Sequence, residues 1–161
     1  GSGFEKNTVF LPQLLMSAEA AKSAFNAVKT AIVESDNKTS DKIVLATVEG
    51  DIHDIGKNIV KVLLQNYGFD VIDLGKDVKP ETVLNAVLEN DVTLVGLSAL
   101  MTTTVVAMEK TIKLLADKAP HVKTVVGGAV LTQEYSDMIG ASHYAKDAME
   151  TVRYAQTHFE K

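Results

Sequence analysis

From Ile43 onward the chain alternates short runs of valine, isoleucine and leucine with stretches of helical period. This alternation constrains the fold most, because parallel strands need a long crossover between them and a helix is the usual crossover. The strand runs are "IVLATV" (43–48), "DVIDLG" (70–75), "TLVGLSA" (93–99), "TVVGGA" (124–129) and a weaker "SHYA" (142–145). The helical stretches run from Ile55 to Tyr67, Pro80 to Asn90, Thr104 to Lys118, Gln133 to Ile139, and Ala148 to the C-terminus. Pro80 suits a first helical turn, and Gly68 and Gly140 suit helix C-termini. The expected class is α/β, with five parallel strands in the order 2-1-3-4-5 flanked by helices.

Ahead of this unit, "PQLLMSAEAAKSAFNAVKTAIVES" spaces Leu14, Ala18, Ala21, Phe25, Val28 and Ile32 along one helical face. A lone amphipathic helix must pack on something. Residues 10–34 are read as the last part of a helical bundle, with a helix packed on the sheet edge as the equal alternative. Residues 1–9, opening on "GSG", read as a tag scar and lead-in, the polar 35–42 as a linker, and 43–161 as the α/β domain.

Composition narrows the chemistry. The 161 residues suit one domain and include no cysteine, which excludes disulfides, thiolate catalysis and Cys-ligated zinc. A net charge of −5 with dispersed lysines argues against nucleic acid. With no signal-peptide pattern and no run of about 18 apolar residues, the expectation is a cytoplasmic protein with no membrane partner.

The unusual residues fall after the first, third and fourth strands, as "EGDIHDIG", "SALMTTT" and "GGA". In the expected strand order these carboxyl ends are neighbours, at the edge where open α/β sheets bind ligands. Gly127 and Gly128 suit close approach of a bulky group, although a Gly-Gly pair alone is more often a turn. Ser98, Thr102, Thr103 and Thr104 offer hydroxyls to a polar ligand, or cap a helix. Gly56 opens a helix whose N–H groups suit a phosphate, yet no G-x-G-x-x-G or Walker pattern accompanies it.

His53 is the most informative residue. A lone loop histidine is ordinarily a surface residue, but Asp51 and Asp54 flank it, and a carboxylate can fix the ring tautomer while the other nitrogen binds a metal. His121, His143 and His158 have no ligand spacing to it, so a metal here must arrive with its own ligands. A macrocycle with an open axial position meets that condition.

The spacing D-x-H-x-x-G, 41 residues, S-x-L, 26 residues, G-G, present as Asp51, His53, Gly56, Ser98, Leu100, Gly127 and Gly128, resembles the signature of cobalamin-binding domains. With the preceding helix the resemblance covers nearly the whole chain. It implies a Rossmann-like or flavodoxin-like domain behind a remnant of a helical cap. The "LATVEGDIHDIGKNIV" and "FLPQLLMSAEAAK" segments resemble cobalamin-dependent methionine synthase most.

The resemblance further implies that cobalamin, as methylcobalamin, binds with its benzimidazole displaced and its nucleotide tail in the cleft. His53 would be the axial ligand of cobalt and Asp51 its partner. Thr104 would stand third in an Asp-His-hydroxyl relay where the family has serine. Contacts to the cofactor would come from Gly50, Asp51, Ile52, His53, Asp54, Ile55 and Gly56, from Ser98, Leu100, Thr102 and Thr104, and from Gly127, Gly128, Ala129, Tyr144 and Ala148. Phe10 and Leu11 would shield the upper face.

The implied function is a methyl carrier between a donor domain (methyltetrahydrofolate) and an acceptor domain (homocysteine), in the same or partner chains. Alternatives are a separate corrinoid protein of methanol, methylamine or O-demethylation systems, the cobalamin module of an adenosylcobalamin mutase, and a non-catalytic cobalamin sensor. A phospho-receiver is disfavoured because the third strand ends in Ser98 rather than an aspartate.

Overall fold

The structure is a computed structural model that describes residues 41–160 together with Phe10, Pro12, Gln13 and Met16. Most of the expected cap helix (10–34) and linker (35–42) therefore lies outside the described residues. Of its described members, Phe10 and Met16 are exposed. The chain divides between Ser40 and Asp41.

From there the elements follow the expected alternation: β1 (Lys42–Thr47), α1 (Ile55–Asn66), β2 (Asp70–Asp73), α2 (Pro80–Asn90), β3 (Leu94–Ser98), a 3-10 turn (Thr102–Thr104), α3 (Val105–Lys118), β4 (Lys123–Gly127), α4 (Gln133–Met138), β5 (His143–Tyr144) and α5 (Ala148–Phe159). The sheet is parallel throughout, in the order β2-β1-β3-β4-β5. Helices α2 and α3 pack together, as do α1 and α5.

Helices on both faces explain why the central strands are nearly continuous in Val, Ile and Leu rather than alternating. Val44, Ala46 and Val48 of the β1 segment join Val95, Leu97 and Val126 in a core with Val83, Val87, Met108, Ile112 and Leu115 of α2 and α3. The alternate residues Ile43 and Leu45 are also fully or almost fully buried, on the side of α1 and α5.

Element ends differ from the sequence expectation where backbone geometry intervenes. β2 stops at Asp73, whose carboxylate accepts the Gly75 N–H at 3.0 Å, and Gly75 turns at φ 87°. β4 stops at Gly127 because Gly128 has φ 143°. β1 begins one residue early, at Lys42, and α3 one late, because Thr102–Thr104 wind as a 3-10 turn first. Gly68 and Gly140 follow their helices at φ 92° and 76°, as expected.

One charge cluster ties α1 to β2. The Lys57 ammonium, its side chain 2% exposed, donates to Asp73 Oδ1 and, at 3.0 Å, to Asn58 Oδ1, while Lys61 Nζ lies 3.0 Å from Asp73 Oδ2. Burial alone would push the Asp73 carboxyl up. Hydrogen bonds from Lys57, the Gly75 N–H and Lys61, with the Lys57 charge, hold it down to about 2. A depressed carboxylate stabilises the fold above its unfolded value of about 3.9 and loses that contribution as the pH falls through its folded value.

Asp73→Ala leaves a buried ammonium without its counter-charge and is expected to cost about 3 kcal/mol at neutral pH. In urea unfolding, the gap to wild type should close between about pH 4 and pH 2; a gap unchanged across that window would contradict the assignment.

Candidate functional site: a cleft at the carboxyl edge of the sheet

Register brings the three motifs together: Thr47 pairs with Ser98, and Ser98 with Gly127, so β1, β3 and β4 end in one row. The loops beyond that row carry His53, Leu100 and Gly128. After β1 the chain turns through Gly50, at φ 82°, and Asp51 N–H returns to the Val48 carbonyl at 3.0 Å. This places the Asp51 side chain inside the protein, with none of it exposed.

Five donors meet that carboxylate. Oδ1 accepts the His53 backbone N–H at 2.9 Å and His53 Nδ1 at 2.8 Å. Oδ2 accepts the Leu100 N–H at 2.6 Å, the Met101 N–H at 3.3 Å and the Thr104 hydroxyl at 2.9 Å. Burial on its own would raise the Asp51 carboxyl. The hydrogen bonds from the His53 and Leu100 backbones, the imidazole and Thr104 reverse this and hold it far below the usual carboxylate range.

An ionised carboxylate can only accept, so Nδ1 must carry the ring proton and Nε2 presents its lone pair. The His53 side chain is 46% exposed, which leaves that lone pair within reach of a ligand. Among the described residues no group of three or more His, Cys, Asp or Glu side chains could hold a metal ion, so a metal at His53 must bring its other ligands.

Thr104 completes the relay. Its hydroxyl reaches both Asp51 Oδ2 and, at 2.8 Å, the Met101 carbonyl, so its single proton is shared between two acceptors. Its methyl group, Cγ2, lies 3.6 Å from where a Gly50 Cβ would stand and packs against that turn. Thr102 and Thr103 are exposed on the 3-10 turn.

At the start of α1 a cavity of about 450 Å³ runs between the sheet and helices α1 and α5, within the size of ordinary ligand sites. Of the residues expected to touch a ligand, Gly56, Ser98, Gly127, Gly128, Ala129, Tyr144 and Ala148 line it. Gly50, Asp51, Ile52, His53, Asp54, Ile55, Leu100, Thr102 and Thr104 are not among the lining residues. Tyr144 is fixed by donating its hydroxyl to the Leu131 carbonyl at 2.9 Å. Ile52, Ile55 and Leu100 are exposed apolar residues, 62%, 78% and 41% accessible. Asp54 is the residue before α1 and makes no side-chain cap there.

The glycines act differently from one another. A Cβ on Gly56 would meet no atom within 4 Å, so the space is open and packing within the fold does not require a glycine there. A Cβ on Gly128 would stand 1.8 Å from the Ala99 carbonyl oxygen. Gly128 is therefore required by the packing of the β3 and β4 ends on each other, and it also lines the cavity.

Gly96 was not singled out in the sequence. Its missing Cβ lets Leu45 Cδ2 lie across β3, and both residues line the cavity. A glycine inside the "TLVGLSA" run was the available signal.

These features coincide with what comparison with known proteins finds. The B12 binding domain family matches residues 41–153. Dimethylamine corrinoid protein 3 of Methanosarcina mazei is 42% identical over 159 residues, 97% of this chain and 95% of that protein. A cobalamin-binding protein from Desulfitobacterium hafniense is 31% identical with a TM-score of 0.82, covering 99% of this chain and 76% of that one. In the methanol:cobalamin methyltransferase complex of Methanosarcina barkeri, a chain 30% identical superposes with a TM-score of 0.89, covering 98% of this chain and 60% of that one.

The chain thus belongs to the B12-binding domain family, and its cofactor is cobalamin. The finer expectation of methionine synthase and methionine biosynthesis finds no support in these relatives, which include a dimethylamine corrinoid protein and a chain of a methanol:cobalamin methyltransferase complex.

The contrast between glycines gives a test. Gly56→Val should leave the apo fold within about 1 kcal/mol of wild type, since valine replaces glycine in a first helical turn without collision. It should nonetheless abolish stoichiometric cobalamin binding by filling the cavity. Gly128→Val should destabilise the apo protein by roughly 3 kcal/mol or more through left-handed strain and collision. Denaturant melts and equilibrium dialysis separate the two; full binding by Gly56→Val would mean that the cavity is not used.

Proposed function

We propose that this chain is the methyl-carrying corrinoid component of a methyltransferase system that demethylates methylated amines or methanol. In this reading His53 Nε2 would hold the cobalt of cobalamin in place of the cofactor's own base, and the residues lining the cavity beside α1 would hold its nucleotide tail. The bound cofactor supplies a cobalt centre able to take up and release a methyl group, chemistry that is the cofactor's own.

The chain's residues supply binding and orientation. Asp51, ionised and buried, keeps the proton on Nδ1 and thereby the lone pair on Nε2. Leu100, Met101 and Thr104 hold Asp51 so that the ring cannot turn away. Ile52, Ile55 and Leu100 offer exposed apolar side chains suited to a flat macrocycle. Gly56, Ser98 and Tyr144 border the space for the tail.

The observation that carries the proposal is the His53 lone pair, fixed by a buried charge three residues before Gly56, which lines a cavity of about 450 Å³. Support for the methylamine or methanol system comes from the relatives, among them a dimethylamine corrinoid protein. The methyltransferase complex among the solved structures supports a separate methyltransferase subunit as partner.

Purified protein incubated with cobalamin should bind one equivalent and give an absorption spectrum with a protein nitrogen on cobalt. His53→Gly should bind with loss of that spectrum. Asp51→Asn should weaken the axial bond about 10- to 100-fold. A His53→Gly spectrum identical to that of wild type would overturn the axial assignment.

A further inference from the structure

The loop after β2 contributes to the site without touching His53. Beyond the end of β2 the chain continues alongside β1: Thr47 N–H donates to the Gly75 carbonyl at 3.0 Å, Val78 N–H donates to the Thr47 carbonyl at 3.0 Å, and Val48 bridges to Val78. Between these anchors stands Asp77, at φ 55°, in the left-handed region that non-glycine residues seldom occupy. Aspartate and asparagine tolerate that conformation better than other residues, but it still costs free energy, and such strain persists only where surrounding contacts enforce it.

The contacts are specific. Asp77 Oδ1 accepts the Gly50 N–H at 2.7 Å, and the Asp77 N–H donates to the Asp51 carbonyl at 3.0 Å. With Asp51 N–H returning to Val48, both backbone groups of Asp51 are held, and the Gly50 turn that points its side chain inward is gripped by a carboxylate. A charged acceptor makes that grip stronger than a neutral one.

We infer that Asp77 is a positioning residue for His53, acting through the backbone of Gly50 and Asp51. The inference rests on the proposed axial role of His53. Asp51 sets the ring tautomer; Asp77 sets Asp51. The residue lies outside the Asp51, His53 and Thr104 relay, and only the turn of the β2 loop brings it there.

Two variants separate positioning from general stability. Asp77→Asn keeps an acceptor oxygen and the tolerance for left-handed backbone. Asp77→Gly relieves the backbone strain but removes the acceptor. If Asp77 were only a loop residue, the glycine variant would be harmless.

In apo protein uniformly labelled with ¹⁵N, at about pH 8.5, above the ordinary histidine value, the ring nitrogens of His53 should show one tautomer, protonated at Nδ1, in wild type and Asp77→Asn. Asp77→Gly should show a mixture of both. With cobalamin bound, the fraction of cofactor carrying the histidine should fall about 3- to 10-fold in Asp77→Gly, a smaller loss than for Asp51 itself, and stay near wild type in Asp77→Asn.

A single tautomer in Asp77→Gly overturns the inference, whatever the cofactor does. A His53→Gly spectrum like that of wild type overturns the axial role instead, and the apo tautomers still decide whether Asp77 positions the ring.

Discussion

The site depends on one buried negative charge. An ionised carboxylate with no exposed surface costs several kcal/mol unless its lone pairs are filled, and Asp51 fills them with five donors drawn from residues 53, 100, 101 and 104. Those donors belong to the loops after β1 and β3, so the same charge binds the two loops together at the sheet edge. Remove the charge and the Leu100 and Met101 N–H groups lose their strongest acceptor, the loops loosen, and the imidazole is free to change tautomer. The histidine's chemistry is thus a consequence of how the backbone beyond β3 is satisfied.

The cavity depends on the same edge. Strand register sets Thr47, Ser98 and Gly127 in one row, and the packing of Gly128 on Ala99 holds the β3 and β4 ends close. On the helix side, the second residue of α1 is Gly56, whose Cβ space is empty, while the buried Lys57 next to it is anchored to Asp73 on β2. Open space and polar anchoring thus stand side by side in the first turn of α1, where Gly56 and Lys57 both line the cavity.

Much of this was legible in the residues. Apolar runs of strand length alternating with helical period specified five strands and their crossovers, and the deviations were one or two residues at ends where Gly75, Gly128 or the threonine turn redirected the backbone. His53, Asp51 and Thr104 were legible because their types and spacing are rare together. What was hidden depends on three-dimensional approach. Gly128 lines the cavity, but its missing Cβ is needed first by Ala99; Thr102 is exposed and not among the lining residues. Gly96 and Asp77 carry no local signal of what they face, since their partners Leu45 and Gly50 lie far away in sequence. Family comparison moved the functional reading from methionine synthase to corrinoid proteins of methyltransferase systems, a distinction that the shared site residues do not encode.

The central claim is that a protein nitrogen, rather than the cofactor's own base, occupies the axial position on cobalt. Electron paramagnetic resonance of the cobalt(II) state tests it directly, using ¹⁵N-labelled protein with unlabelled cobalamin. The nuclear spin of the axial nitrogen sets the splitting of each cobalt line, a triplet for ¹⁴N and a doublet for ¹⁵N. The account predicts triplets in unlabelled protein that become doublets on labelling, and that vanish in His53→Gly. Triplets that persist in the labelled protein would place the benzimidazole on cobalt and contradict it.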